Sequence, residues 1–375
     1  MSTDGVVADK KPADEPGFPG APKGSEGSDE PELKATRAVL KKRGLPAVVL
    51  VSPALADANN GNWHTAHRWS QFLSAHCDIR IVPAWTPQDA PAAMMIALHA
   101  RRSAASITAW ASVHPNLPLA VVLTGTDLYR DIQHDALAQQ SLAVATHLVV
   151  LQSDGLTALP ERWRSKSRVI FQSAPTLTPA IKPGRLFRAL MVGHLRDEKD
   201  PLTFMAALGH TLPAHVRLHQ IGDALDPALG NAARATAAAY PHYRWLGGLP
   251  RAATRQRIRH AHLLVSCSRM EGGAHVILEA VLSGTPVLAS RVGGNVGMLG
   301  ADYAGYFPLG DSAALAALIR RCAEEPAFLA GLQQQCAQRA PLFDVQTEKQ
   351  LVLNLVTTAV STLPTPCPPE PERPT

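Results

Sequence analysis

The stretch Leu263-Leu264-Val265-Ser266-Cys267-Ser268-Arg269-Met270-Glu271-Gly272-Gly273-Ala274-His275-Val276-Ile277-Leu278-Glu279-Ala280-Val281-Leu282-Ser283-Gly284-Thr285-Pro286-Val287-Leu288-Ala289-Ser290 decides the fold class. Leu263 to Cys267 is a short, nearly continuous apolar run, as expected for a strand buried on both faces. The glycine pair then opens a helix over Ala274 to Ser283, and Gly284 caps it. Pro286 to Ser290 returns to an apolar strand. A strand, a helix and a strand in this order imply a parallel sheet covered on both faces.

The same alternation extends in both directions. Towards the N-terminus it reads strand at Leu186–Val192, helix at Asp200–Leu208 started by Asp200 and Pro201, strands at Val216–Ile221 and Tyr243–Leu246, and helix at Arg251–Ala261. Towards the C-terminus it reads helices at Ser312–Ala323, Pro326–Ala340 and Gln346–Ser361. The Pro-containing segment Pro175–Pro183 reads as a linker. Before it lie strands at Ala47–Val51, Asp78–Pro83, Ala93–Leu98, Leu119–Leu123, His147–Leu151 and Arg168–Gln172. Helices are expected at Trp63–Ala75 and Ser103–Val113, with a helix end at Ser141–Thr146. The expectation is an α/β protein of two doubly wound, Rossmann-like domains, residues 45–178 and 184–343, with a terminal helix over 344–361 packing back towards the first. Residues 1–44 are too polar to offset their ordering entropy and read as a disordered tail. Residues 362–375 read as a loose Pro-rich tail.

Composition excludes several function classes. The chain has 375 residues, 46% of them hydrophobic, enough for two cores. Its formal charge of +5 comes from scattered Lys and Arg without interleaved aromatics, which suits small anionic ligands rather than nucleic acid. Five cysteines form no CxxC pair, so neither a disulfide framework nor a structural zinc site is expected. No signal-like segment and no apolar run of about 20 residues is present, so a cytoplasmic protein without membrane contact is expected.

In such folds ligands sit at the carboxyl ends of strands, and six loops there carry chemistry. In the first, Gly272, Gly273 and Ala274 leave backbone N–H groups free at a helix start, where a phosphate can bind. Glu271 and Glu279 lie on roughly one face, one able to bind sugar hydroxyls and the other ribose hydroxyls. The plain structural alternative is a dipole partner and an exposed helix residue. The second is Gly193-His194-Leu195-Arg196-Asp197-Glu198-Lys199, which sets His194, Arg196 and Lys199 directly after a strand; its plain reading is a solvated charged turn. The third is His99-Ala100-Arg101-Arg102, with Arg101 and Arg102 suited to an anionic second substrate or to plain surface charge. The fourth is Asn59-Asn60-Gly61-Asn62-Trp63-His64, the loop after the first strand, whose Asn and Gly residues permit unusual backbone angles or form an ordinary loop and N-cap. The fifth, Thr124-Gly125-Thr126-Asp127-Leu128-Tyr129-Arg130, offers Asp127 as a hydroxyl acceptor or a helix cap. The sixth, Gly293-Gly294-Asn295, is a glycine loop and weak evidence by itself.

Glu271 and Glu279 with the following Ala280-Val281-Leu282-Ser283-Gly284-Thr285-Pro286-Val287 resemble the signature of glycosyltransferase family 4, which has the GT-B fold of two facing Rossmann-like domains. The resemblance implies that Glu271 contacts the donor sugar and Glu279 the ribose, that Lys199 holds the diphosphate, that Gly61, Asn62, Gly294 and Asn295 line the donor, and that His99 points at the donor sugar. His99, Lys199 and Glu271 are then the catalytic set. The chain departs from the pattern at His194, where the family has an arginine, so either His194 or Arg196 completes the diphosphate site.

Further strings narrow the resemblance: Asn60-Gly61-Asn62-Trp63, Ala97 to Ser103, Leu123 to Asp131, Lys199-Asp200-Pro201-Leu202-Thr203-Phe204, Ser268 to Gly273 and Gly294 to Gly300. Over about Ala47 to Phe343 the chain resembles the selenosugar synthases of selenoneine biosynthesis. This implies joining of selenophosphate to the sugar of UDP-N-acetylglucosamine or UDP-glucose, with UDP and phosphate released and no cofactor. Arg101, Arg102, His64, Asp127 and Arg130 are the candidate acceptor residues. No acidic Asp-x-Asp motif lies at the donor site, so no metal is expected. Its partners are then the small-molecule substrates, with a functional link to a selenophosphate synthetase and a selenoneine-forming enzyme. The alternatives are an ordinary family-4 enzyme acting on a hydroxyl, and a non-catalytic nucleotide-sugar-binding protein.

Overall fold

The central strands form from mostly apolar runs of four to six residues because each is covered on both sides. The computed structural model describes residues 44–53, 61–182 and 184–361. The tails expected at either end, Asn59, Asn60 and Pro183 lie outside these residues.

The first sheet takes β1 (Ala47–Val51), β2 (Asp78–Val82), β3 (Met94–Leu98), β4 (Leu119–Leu123), β5 (His147–Val150) and β6 (Ser167–Val169). All its pairings are parallel, in the order β2-β1-β3-β4-β5-β6. Alternate residues feed two cores. With α1 (Gly61–Leu73) on the opposite face, Val49, Val51, Met95 and Ala97 pack under α2 (Ala104–Val113) and α3 (Ala136–Val144). Val48, Leu50, Met94 and Ile96 pack on the other face, with Trp69 and Leu73 of α1 itself.

The second sheet takes β7 (Phe187–Val192), β8 (Val216–Ile221), β9 (Tyr243–Trp245), β10 (Leu263–Ser266), β11 (Val287–Ser290) and β12 (Tyr306–Phe307). It is also parallel, in the order β12-β11-β10-β7-β8-β9. Around it lie α4 (Pro227–Ala239), α5 (Arg251–His260), α6 (His275–Val281), α7 (Gly293–Leu299), α8 (Ser312–Glu324) and α9 (Pro326–Arg339). The strand order reverses between β7 and β10, and in the first sheet between β1 and β3. Crevices for ligands open at such points. The fold is therefore α/β, with two parallel six-stranded sheets and helices around each.

The last helix, α10 (Val345–Ser361), follows the second sheet in sequence but packs on the first. Val352, Leu355, Val356 and Ala359 complete the core of Val48, Leu50, Trp69 and Ile96. Glu348, fully enclosed at its start, accepts from Arg68 Nε at 2.8 Å and Nη2 at 2.9 Å, Trp69 Nε1 at 2.8 Å and Ser173 N at 2.8 Å. One carboxylate thus joins α10, α1 and the connection between the sheets. Arg255 and Arg259 of α5 hold that connection further along, donating to the carbonyls of Pro175 and Thr178.

Several elements differ from the sequence reading, three of them as follows. Gly293–Leu299 is a helix, although Gly293, Gly294 and Gly297 suggest a loop. Its glycines are explained by crowding: a Cβ on Gly294 would strike the Glu271 carbonyl, and one on Gly297 the Gln152 amide. Pro227–Ala239 forms a helix whose start is legible in hindsight, since Asp226 caps it with its side chain on Ala228 N and Pro227 occupies the first turn. The segment Asp127–Asp131 is a wide π-type turn rather than a simple loop.

Candidate active site

The two domains meet through glycine backbone. A Cβ on Gly125, after β4, would stand 2.7 Å from Gly272 N, after β10. Gly273 faces Leu151 in the same way, its Cβ position 2.8 Å from Leu151 Cβ. Ser153 Oγ donates to the Gly297 carbonyl at 3.2 Å. These close approaches need residues without a side chain.

Behind Gly272 lies the centre of the site. Lys199 Nζ donates to Glu271 Oε1 at 2.5 Å, and Ser268 Oγ donates to the same oxygen at 2.6 Å. The lysine stem runs over Gly193, 3.3 Å from where a Cβ would be. Its neighbour Asp200 has φ of +47°, the left-handed region. Thr203 Oγ1 and Arg269 Nη2 donate to its carboxylate at 2.8 and 3.3 Å. Among the described residues only Asp200 and His99, at φ +71°, are non-glycine residues in that region. Such conformations cost about 1–3 kcal/mol and gather at functional sites.

His99 follows β3 and is buried. Its Nδ1 stands 2.5 Å from Asp127 Oδ1, and its Nε2 is 3.1 Å from Thr126 Oγ1. Asp127, fully buried, also accepts from the backbone N–H groups of Ala100 at 3.1 Å and Thr124 at 3.2 Å. Asp127 therefore ties the loops after β3 and β4 together and fixes the His99 ring. Donor atoms of His99, Asp127 and Asp131 lie within 4.8 Å of one another, but Asp127 is engaged as described and Asp131 lies between Arg101 Nε at 3.2 Å and Arg130 Nε at 3.0 Å.

Glu279 lies deeper in the second domain, on α6. His275 Nδ1 is 3.3 Å away, Arg251 Nε 3.6 Å and Arg255 Nε 3.7 Å. Burial pulls its carboxyl upward, but the His275 hydrogen bond and the two guanidinium charges outweigh this and hold it below the ordinary value. His64, on α1 of the first domain, belongs to the same cluster. Burial first, then the charges of Arg251, His275 and Arg68, lower it to about 4.

The other expected residues separate into two groups. His194 turns along its own domain, where its Nδ1 accepts from Asp223 N at 3.2 Å. Burial lowers its basicity, and Arg196 and Lys199 add to this against Asp223. With Nδ1 accepting that N–H, the neutral form of the ring carries its proton on Nε2. Arg196 is half exposed and faces Glu198 at 3.8 Å. Arg130 reaches across from the first domain to the same carboxylate at 3.7 Å. Arg101 lies along its own domain towards Asp131 and Asp135, and Arg102 is exposed beside it. Gly61 and Asn62 begin α1. Gly294 packs on Glu271, and Asn295 Nδ2 donates to the Ser290 carbonyl at 2.9 Å. Gly272, Gly273 and Ala274 form the turn into α6. Thus Lys199, Glu271, Gly272 and Gly294 come together, with His64 and Glu279 in a second group, whereas Arg101 is turned aside.

Glu348 and Arg68 were not legible as a pair, because 280 residues separate them. Arg251, Arg255 and His275 carried a weak signal as basic residues near Glu279. Glu198 carried none beyond its place next to Lys199.

No helix among the described residues is long and apolar enough to cross a membrane. Among solved structures, the chain is similar to sucrose-phosphate synthase from Thermosynechococcus elongatus, with a TM-score of 0.69 and 16% identity over 85% of this chain and 100% of that one. It is similar to HepE of Anabaena, in complex with UDP and glucose, with a TM-score of 0.64 and 17% identity over 84% of this chain and 100% of that one. At such identities these likenesses establish the fold. Residues 187–325, which hold His194, Lys199, Glu271 and Glu279, match the model of the family described as Glycosyl transferases group 1.

Proposed function

We propose that the protein is a glycosyltransferase that takes a UDP-sugar, UDP-N-acetylglucosamine or UDP-glucose, and transfers its sugar to the selenium of selenophosphate. The observation that carries the transferase reading is the Lys199–Glu271 pair, 2.5 Å apart under the glycine contact between the domains. A departing UDP needs positive charge and N–H donors at the diphosphate, and Lys199 with the turn at Gly272 supplies both. Burial, with the charges of Arg196 and Lys199, lowers the pKa of His194, so Lys199 is the principal cation. Glu271 orients that ammonium and can accept from sugar hydroxyls. Glu279 receives the ribose hydroxyls. The solved relatives determined with UDP or UDP-glucose support a UDP-sugar donor.

The selenium acceptor rests on the sequence strings that resemble selenosugar synthases. Selenophosphate is already anionic and selenium is polarisable, so attack at the anomeric carbon needs little general-base help. A C–Se bond forms as the C–O bond to the diphosphate breaks, the electron pair leaving with UDP. Water then cleaves the Se–P bond and releases phosphate. No metal cofactor enters this scheme. The experiment is mass spectrometry of reactions that offer UDP-N-acetylglucosamine or UDP-glucose with selenophosphate. A 1-seleno-sugar with released UDP is the expected result. UDP release only with hydroxyl acceptors would make it an ordinary transferase, and no release with any acceptor a binding protein.

A further inference from the structure

Arg130 and Arg196 come from different domains and converge on one carboxylate. Arg130 Nη1 lies 3.7 Å from Glu198 Oε1, and Arg196 Nε lies 3.8 Å from Glu198 Oε2. Each guanidinium faces a different oxygen, as the two would face a bound oxyanion. Both contacts are longer than a hydrogen bond, so the carboxylate is loosely held. Both arginine side chains are 46% exposed and Glu198 is 25% exposed, so solvent reaches the place.

The backbone beneath is fixed. The Glu198 carbonyl accepts from Arg269 N at 2.9 Å, and Asp197–Lys199 is a tight helical turn. The Glu198 side chain itself is held by the two long ion-pair contacts. The next residue, Lys199, is the one bound to Glu271. Arg130 in turn is set by Asp131 at 3.0 Å, itself held from the other side by Arg101 at 3.2 Å. The pair therefore stands next to Lys199, with one domain supplying each cation.

We propose that Arg130 and Arg196 form the site for the phosphate-type oxyanion of the acceptor, and that Glu198 occupies it until the acceptor displaces it. This rests on the glycosyltransferase reading and names the part of the site that receives the second substrate. Asp131 also balances Arg130, so the oxyanion binds by exchange with the Glu198 carboxylate, which the two guanidiniums hold only loosely. The Glu198 carboxylate then turns to solvent. A free oxyanion such as selenophosphate and the phosphate of a phosphorylated sugar share this chemistry.

The test is calorimetric titration of inorganic phosphate into the full chain saturated with UDP, repeated with glucose 6-phosphate. Arg130→Gln and Arg196→Gln each weaken phosphate binding about tenfold, whereas Glu198→Gln strengthens it. All three side chains are partly exposed, and thermal unfolding of each variant checks that it is folded. Stronger binding of glucose 6-phosphate than of phosphate would keep the site and assign it to a phosphorylated sugar. Phosphate binding that is the same in all variants, absent from both wild type and Glu198→Gln, or competitive with UDP would overturn the inference. Turnover is not needed, so the site can stand even if no seleno-sugar is formed.

Discussion

Lys199 Nζ and Glu271 Oε1 are 2.5 Å apart, so the loops after β7 and β10 share one ion pair at the edge of the first domain. A cation so placed gains most when charge develops on a departing diphosphate. Lys199→Ala is expected to lower kcat and to raise KM for the UDP-sugar. Loss of a charge-assisted contact is worth about 1.5–3 kcal/mol, or roughly ten- to a hundredfold in kcat/KM. Steady-state kinetics check this, and a rise in KM alone would make Lys199 a uniform binder.

Glu279 is ringed by His275, Arg251 and Arg255, which keep it ionised. Glu279→Ala is expected to weaken UDP about ten- to a hundredfold, measured by calorimetry. Unchanged affinity in a folded variant would remove Glu279 from the donor site.

Acid should destabilise the fold through His64. Its pKa is lowered from 6.5 to about 4, so the unfolded chain takes up a proton between these values that the folded chain refuses. Stability therefore falls as pH drops through that window. Glu279, whose value is also lowered, acts in the same direction at lower pH. Because His64 is only partly buried, we expect about 1 kcal/mol from it rather than the full value of the shift. His64→Asn should flatten the difference between urea midpoints at pH 7 and pH 5.

The contact of Gly125 with Gly272 leaves no room for a methyl group. Gly125→Ala should push the domains apart, costing about 1–3 kcal/mol and most of the activity. Thermal unfolding measures the first, and an increased radius of gyration in small-angle scattering reports the opening.

Much of this was readable because β strands buried on both faces leave apolar runs that stand out. Leu119–Leu123 and Val216–Ile221 coincide with the expected strands. Gly293–Leu299 was not readable as a helix, since its glycines answer to Glu271 and Gln152, which are distant in sequence. The glutamates and the lysine were visible as a pattern, but their partners were not. Nothing local distinguishes His194, turned to Asp223 N, from a histidine facing a phosphate. Arg101 and Arg130 look equally suited to an anion in sequence, and only the fold turns one aside towards Asp135 and the other towards Glu198.

Glu348 meets Arg68 across 280 residues of chain, and Val352, Leu355 and Val356 seal a face of the sheet formed by residues 47–169. During synthesis the ribosome releases that sheet long before its cover exists. The nascent first domain thus exposes Val48, Leu50 and Ile96 while the whole second domain is being made. Its maturation is tied to the completion of its successor, and a stalled or shortened translation product would be a client for chaperones rather than a working half.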